Sequence, residues 1–122
     1  MICLAAGALV ASIAVNGFTL AWTHSIEKIL WEEDWRVEER QLVLHEARIR
    51  GTGAGMEPPE DAVLSNSVWR YRPKLAPQQR LALSHSPYAG AYTLCAEDHC
   101  RTLSEILPGL PEYTPVVLTV CR

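Results

Sequence analysis

Along much of this chain the hydrophobic side chains recur at every second position, the period of a pleated strand. Ile29, Trp31, Trp35 and Val37 share one side, and Glu32, Asp34, Arg36 and Glu38 share the other. Glu and Arg are good helix formers, but these apolar positions make no continuous stripe at helical spacing, and paired tryptophans favour a pleated surface. The run therefore predicts a strand with one anomaly, Glu33 on the apolar side between Trp31 and Trp35. A polar turn at 38–41 leads to a second strand over 42–49, with Val43, His45, Ala47 and Ile49 on one side. Upstream, Phe18, Leu20 and Trp22 share a face of a strand over 18–23. Asn16-Gly17 reads as a type I′ hairpin turn joining that strand to one near 9–15, because the pair tolerates positive φ. Further short strands are expected at Trp69–Tyr71, Leu81–Leu83, from Tyr92 to Cys95 and over 116–121.

Between them the texture changes. Gly51, Gly53 and Gly55, then Pro58-Pro59, predict a long irregular loop from 51 to 67. Thr102-Leu-Ser-Glu105 matches a capping box, in which hydroxyl and carboxylate satisfy the free amides of a helix start. Leu103, Ile106 and Leu107 would pack one short helical turn over 102–107 before Pro108-Gly109 stops it. The expected fold is mainly β, a single antiparallel sandwich or open barrel of seven or eight short strands over 1–122.

Length and charge narrow the function classes. The 122 residues suit one modest core, and a net charge of −3 gives no electrostatic case for nucleic acid. Arg70, Arg72, Lys74 and Arg80 form a small basic cluster, but with acids nearby it reads as surface or interface. Residues 1–22 carry no charge, a length that could span a bilayer or serve export. Ala and Gly richness, the Asn16-Gly17 break and the lack of flanking Lys or Arg favour strands; the alternative is a remnant signal segment over 1–15.

The chemistry-bearing candidates are few. A buried Glu33 needs a partner, and His24 is the obvious one, with Ser25 beside it. One reading is a ligand-binding or acid–base pair next to a hydroxyl, the other a structural network fastening two strands. Adjacent His-Ser in a strand points the side chains to opposite faces, which argues against a serine triad, so no catalytic residue is assigned. Gly53-Ala-Gly55-Met56 could offer amides to an anion, or simply bend the backbone and plug the core with Met56. No lysine or helix start follows it, so it is no phosphate loop, and no cofactor is implied. Cys95 and Cys100 flank what reads as a four-residue hairpin turn, and Cys3 and Cys121 could join the first and last strands. With His99 the spacing is a poor match to a zinc site, so no metal is assigned; an exported chain would hold these pairs as disulfides, and a cytoplasmic one would keep thiols.

Three pieces stand in order: Phe18-Thr-Leu-Ala-Trp-Thr-His24-Ser25, then Glu27-Lys28 with Trp31-Glu32-Glu33 and Trp35, then Gly53-Ala54-Gly55-Met56. Together they resemble the bacterial domain of unknown function 1850 family over roughly residues 2–121. The resemblance implies a small exported or envelope protein, periplasmic or envelope-associated, encoded beside tripartite transporters of the TAXI type. A transporter substrate-binding protein or permease is then the expected partner. It marks His24, Ser25, Glu33 and the 53–56 loop as pattern positions without assigning them chemistry. The expectation is a non-enzymatic accessory or interaction module; the alternative is a small-ligand binder or weak hydrolase centred on His24, Ser25 and Glu33.

Overall fold

A computed structural model describes residues 1–23, 29–50, 61–84 and 92–121. The described residues form eleven antiparallel strands and one helical turn. The strands are β1 (Ile2–Ala6), β2 (Leu9–Ile13), β3 (Gly17–Thr23), β4 (Leu30–Glu38), β5 (Gln41–Arg50), β6 (Val63–Ser65), β7 (Val68–Tyr71), β8 (Arg80–Leu83), β9 (Thr93–Ala96), β10 (His99–Thr102) and β11 (Val116–Val120), with α1 at Leu103–Ile106. Two open sheets form: a four-stranded one ordered β2-β1-β11-β8 and a seven-stranded one ordered β10-β9-β3-β4-β5-β7-β6. The mainly β architecture holds, as two facing sheets.

The core lies between the sheets. Ile2, Leu4, Val116 and Leu118 come from the smaller sheet, and Phe18, Leu20, Trp35, Leu42, Leu44 and Leu94 from the larger. Leu103, Ile106 and Leu107 close one margin, held by the expected capping box: Thr102 Oγ1 accepts from the Glu105 amide, and Glu105 accepts from the Thr102 amide. Gly109, at φ 86°, ends that turn where an L side chain would be strained.

Several sequence expectations are corrected. Asn16-Gly17 is no hairpin turn. β2 pairs with β1, Ile2 facing Ile13, while β3 pairs with β4 and β9, so the dipeptide carries the chain from one sheet to the other. Neither residue takes positive φ. Gly17 instead lies in β3, where an added Cβ would come within 3.4 Å of the Trp35 carbonyl. The amino-terminal hairpin turns earlier, at Gly7-Ala8, with Gly7 at φ 59°. Of the loop expected over 51–67, the described part is not irregular throughout: Val63–Ser65 forms β6 and Asn66-Ser67 turns into β7. Cys95 and Cys100 do not flank a four-residue turn: both lie within strands, and the turn between β9 and β10 is Glu97-Asp98 alone. Among the described residues the strand count is eleven, because these tight two-residue turns consume so little chain.

The face of β5 is also corrected. Asp34 faces Glu46 and Trp35 faces Leu44, so His45 is an extra residue with no opposite number in β4. A bulge of this kind resets the alternation. Leu42 and Leu44 are buried before it, Ala47 and Ile49 after it, and Val43 falls on the other side. His45 meets Glu38 through Nε2 and Oε2 at the end of the neighbouring strand.

Candidate functional site

Strand pairing collects the inward aromatic residues of the larger sheet at one end. Trp22 of β3 faces Trp31 of β4, which faces Ile49 of β5, which faces Trp69 of β7. One row further in, Leu94, Leu20, Glu33, Ala47 and Tyr71 stand across β9, β3, β4, β5 and β7. β3, β4 and β5 run seven to ten residues, whereas β1, β2 and β11 have five each, so the larger sheet outreaches the smaller one. The aromatic residues at this end are accordingly only half-buried: Trp22, Trp31, Trp69, Tyr71 and Tyr92 all retain some exposure. The Trp22 and Trp31 rings stack, with centroids 6.2 Å apart and planes at 18°. Tyr92 leans on Trp22 at 5.3 Å and 43°.

Glu33 sits at the boundary between this aromatic end and the closed core. Leu20 is fully buried on one side of it and Ala47 nearly so on the other. Trp35 Nε1 donates to Glu33 Oε1 at 3.2 Å, the one hydrogen bond to the carboxylate among the described residues. Burial raises the Glu33 pKa above its ordinary value, and the indole hydrogen bond only partly offsets that. Burial likewise raises the phenols of Tyr71 and Tyr92, and the Glu33 charge raises both further. One carboxylate thus acts electrically on two tyrosines, one in β7 and one just ahead of β9.

The opposite face of the same strands treats its acids differently. Arg48 grips Asp34 with two nitrogens, Nη1 to Oδ2 at 2.6 Å and Nη2 to Oδ1 at 2.8 Å, and Thr19 Oγ1 adds a bond of 2.7 Å. Glu46 accepts from Arg48 at 3.1 Å and from Arg70 at 2.9 Å, and Glu32 accepts from Arg50 at 2.6 Å. The Arg48 hydrogen bonds hold the Asp34 carboxyl below its ordinary range, and Asp34 in turn raises the guanidinium. Arg70 is thus committed to a cross-strand ion pair rather than to a basic patch.

Both candidate disulfides are present. Cys3–Cys121 ties β1 to the chain just beyond β11, and Cys95–Cys100 crosses the β9–β10 hairpin between directly paired residues. Of the other candidates, His24, Ser25, Gly53, Gly55 and Met56 lie outside the described residues. The aromatic end was missed as a unit. Its signal was the alternation itself, since Trp22, Trp31, Trp69, Tyr71 and Tyr92 all lie in or beside runs read as strands, but which rows they join depends on pairing.

A cavity of about 350 Å³ lies between Ile13 and Val15 on one side and the β9–β10 hairpin on the other. Its polar members Glu97, His99 and Arg101 are exposed to water, so it holds no desolvated group comparable to Glu33.

Among the described residues, no helix is long and apolar enough to cross a membrane, and β1 and β2 occupy the uncharged amino-terminal stretch. Comparisons with curated proteins and with solved structures return no match. A family model described as Domain of unknown function (DUF1850) matches residues 18–103, which take in the seven-stranded sheet apart from Gly17 at the start of β3, with Glu33 and the aromatic end inside the match. The chain belongs to the DUF1850 family.

Proposed function

We propose that this chain is a non-enzymatic β module of the bacterial envelope that binds a small ligand at the aromatic end of its larger sheet. The observation that carries the reading is Glu33: a half-buried carboxylate whose described hydrogen-bond partner is a single indole N–H. A desolvated charge so lightly compensated costs stability, and such groups concentrate where a ligand completes the compensation. Indole donates but accepts nothing, so it holds the carboxylate in place without offering a proton relay, which favours binding over acid–base catalysis. The two disulfides support an oxidising compartment outside the cytoplasm.

A thermal-shift screen of the full chain and of Glu33→Gln against small metabolites tests the reading. Compounds that raise the Tm of the parent but not of the variant support it, and a screen in which no compound separates the two overturns it.

The family resemblance extends the proposal to a partner, a tripartite transporter of the TAXI type served by this module. Affinity capture from envelope fractions tests that part: co-purification of a substrate-binding protein or permease supports it, and recovery of neither overturns it.

A further inference from the structure

We propose that the ligand of the Glu33 end is a small organic cation, a compound bearing a primary or quaternary ammonium group. The inference rests on the ligand-binding reading above and names the class of compound.

Charge comes first. On the outer face Glu32, Asp34 and Glu46 each contact an arginine at 2.6–3.1 Å, so the sheet neutralises its acids there with built-in cations. Glu33, on the other face of the same strand, has no cationic partner among the described residues and a single neutral donor. Among the described residues the groups that titrate on its side are Tyr71 on β7 and Tyr92 ahead of β9; its neighbours on β3 and β5 are Leu20 and Ala47. An anion would meet an uncompensated carboxylate, and a neutral ligand would leave that charge as it stands. A cation removes the penalty, and at half-buried sites the attraction is far stronger than in bulk water.

Ring geometry then separates organic from inorganic cations. A desolvated metal ion wants several oxygen ligands, and no group of three or more metal-ligating side chains gathers among the described residues. On the Glu33 side of the sheet stand aromatic residues: Trp35 bonded to the carboxylate, and in the next row the stacked Trp22–Trp31 pair with Tyr92 tilted against it. Electron-rich ring faces beside one carboxylate suit an ammonium with apolar substituents, which gains from cation–π contact and sheds its water easily.

Intrinsic tryptophan fluorescence of the full chain reads the test. Choline is titrated at constant ionic strength beside 3,3-dimethylbutan-1-ol, its uncharged isostere, and beside acetate. The expected result is saturable quenching by choline, with affinity at least about tenfold lower for the isostere, for Glu33→Gln and for Trp22→Leu. In the parent, binding should weaken as pH falls through the raised Glu33 pKa, an arm that needs no variant to fold. Equal binding of choline and isostere, or saturation by acetate with the same Glu33 dependence, overturns the cation class while leaving a ligand site standing. A pH-independent affinity also overturns it. Absence of any saturable, Glu33-dependent signal from all three compounds overturns the cation proposal, while the wider metabolite screen judges the binding reading separately.

Discussion

Trp35 Nε1 reaches two positions back along β4 to bond Glu33 Oε1 at 3.2 Å, so the buried indole anchors a carboxylate at the edge of the core. Period-two geometry makes the contact available, since residues i and i+2 share a face. It also means that Trp35 fills the core with its ring and orients Glu33 with its nitrogen.

Replacing Glu33 with Gln keeps an oxygen for the Trp35 donor and removes the desolvated charge. The expected outcome in a thermal melt at pH 7 is a Tm unchanged or raised by up to about 4 °C. A fall of several degrees would show that the carboxylate supports the fold.

The pH dependence follows from carboxyl shifts of opposite sign, Glu33 raised and Asp34 and Glu105 lowered. Glu33 is held above 4.5, so between 4.5 and its folded value the folded chain binds the extra proton. Its contribution is therefore greatest at low pH and declines as pH rises through that window. Asp34 is held below 3.8, so its contribution is present above 3.8 and is lost as pH falls through its folded value. Denaturant melts from pH 2 to 7 should show both limbs in the parent, and Glu33→Gln should flatten only the upper one.

Asp34→Asn removes the charge from the two-pronged contact with Arg48 and weakens the Thr19 bond. Asp34 is partly open to solvent, so the expected loss is modest, about 1 kcal/mol by urea denaturation. The same change should shrink the acid limb above, leaving the part that Glu105 contributes through its hydrogen bonds to Thr102.

Among the described residues, three two-residue hairpin turns place both of their residues in the left-handed region: Glu39-Arg40, Asn66-Ser67 and Glu97-Asp98. Type I′ turns favour Asn-Gly because positive φ strains most L side chains. Replacing Glu39-Arg40 by Asn-Gly should stabilise the chain by about 1 kcal/mol in chemical denaturation. A loss would indicate that the Glu39 or Arg40 side chain contributes more than its backbone costs.

The disulfides should differ in weight. Cys3–Cys121 closes a loop of 118 residues in separation and Cys95–Cys100 one of 5. Loop-closure entropy predicts losses of about 5 and about 2 kcal/mol on replacing each pair with serine. Equal losses in paired denaturation curves would count against that account, and a thiol assay on the unfolded native protein should find none free.

What was legible in the residues was local. Alternation placed β3, β4, β7, β8 and β11, the capping box marked α1, and the spacing of the four cysteines suggested both pairs. Glu33 stood out because a single charge broke an otherwise apolar side, and burial with a raised pKa is what that pattern entails. The sheet each strand joined was decided elsewhere. Asn16-Gly17 has the composition of a hairpin, but β2 finds its partner in β1 and β3 in β4, and pairing over long stretches outweighs the preference of two residues. The bulge at His45 reset the buried side of β5 for the same reason, as the register had to bring Leu44 opposite Trp35 and Ala47 opposite Glu33. Side-chain period is a property of each strand alone and can be read from it; pairing partner and register are properties of the packed pair, and only the tertiary structure sets tryptophans and tyrosines from separate segments on the side of one carboxylate.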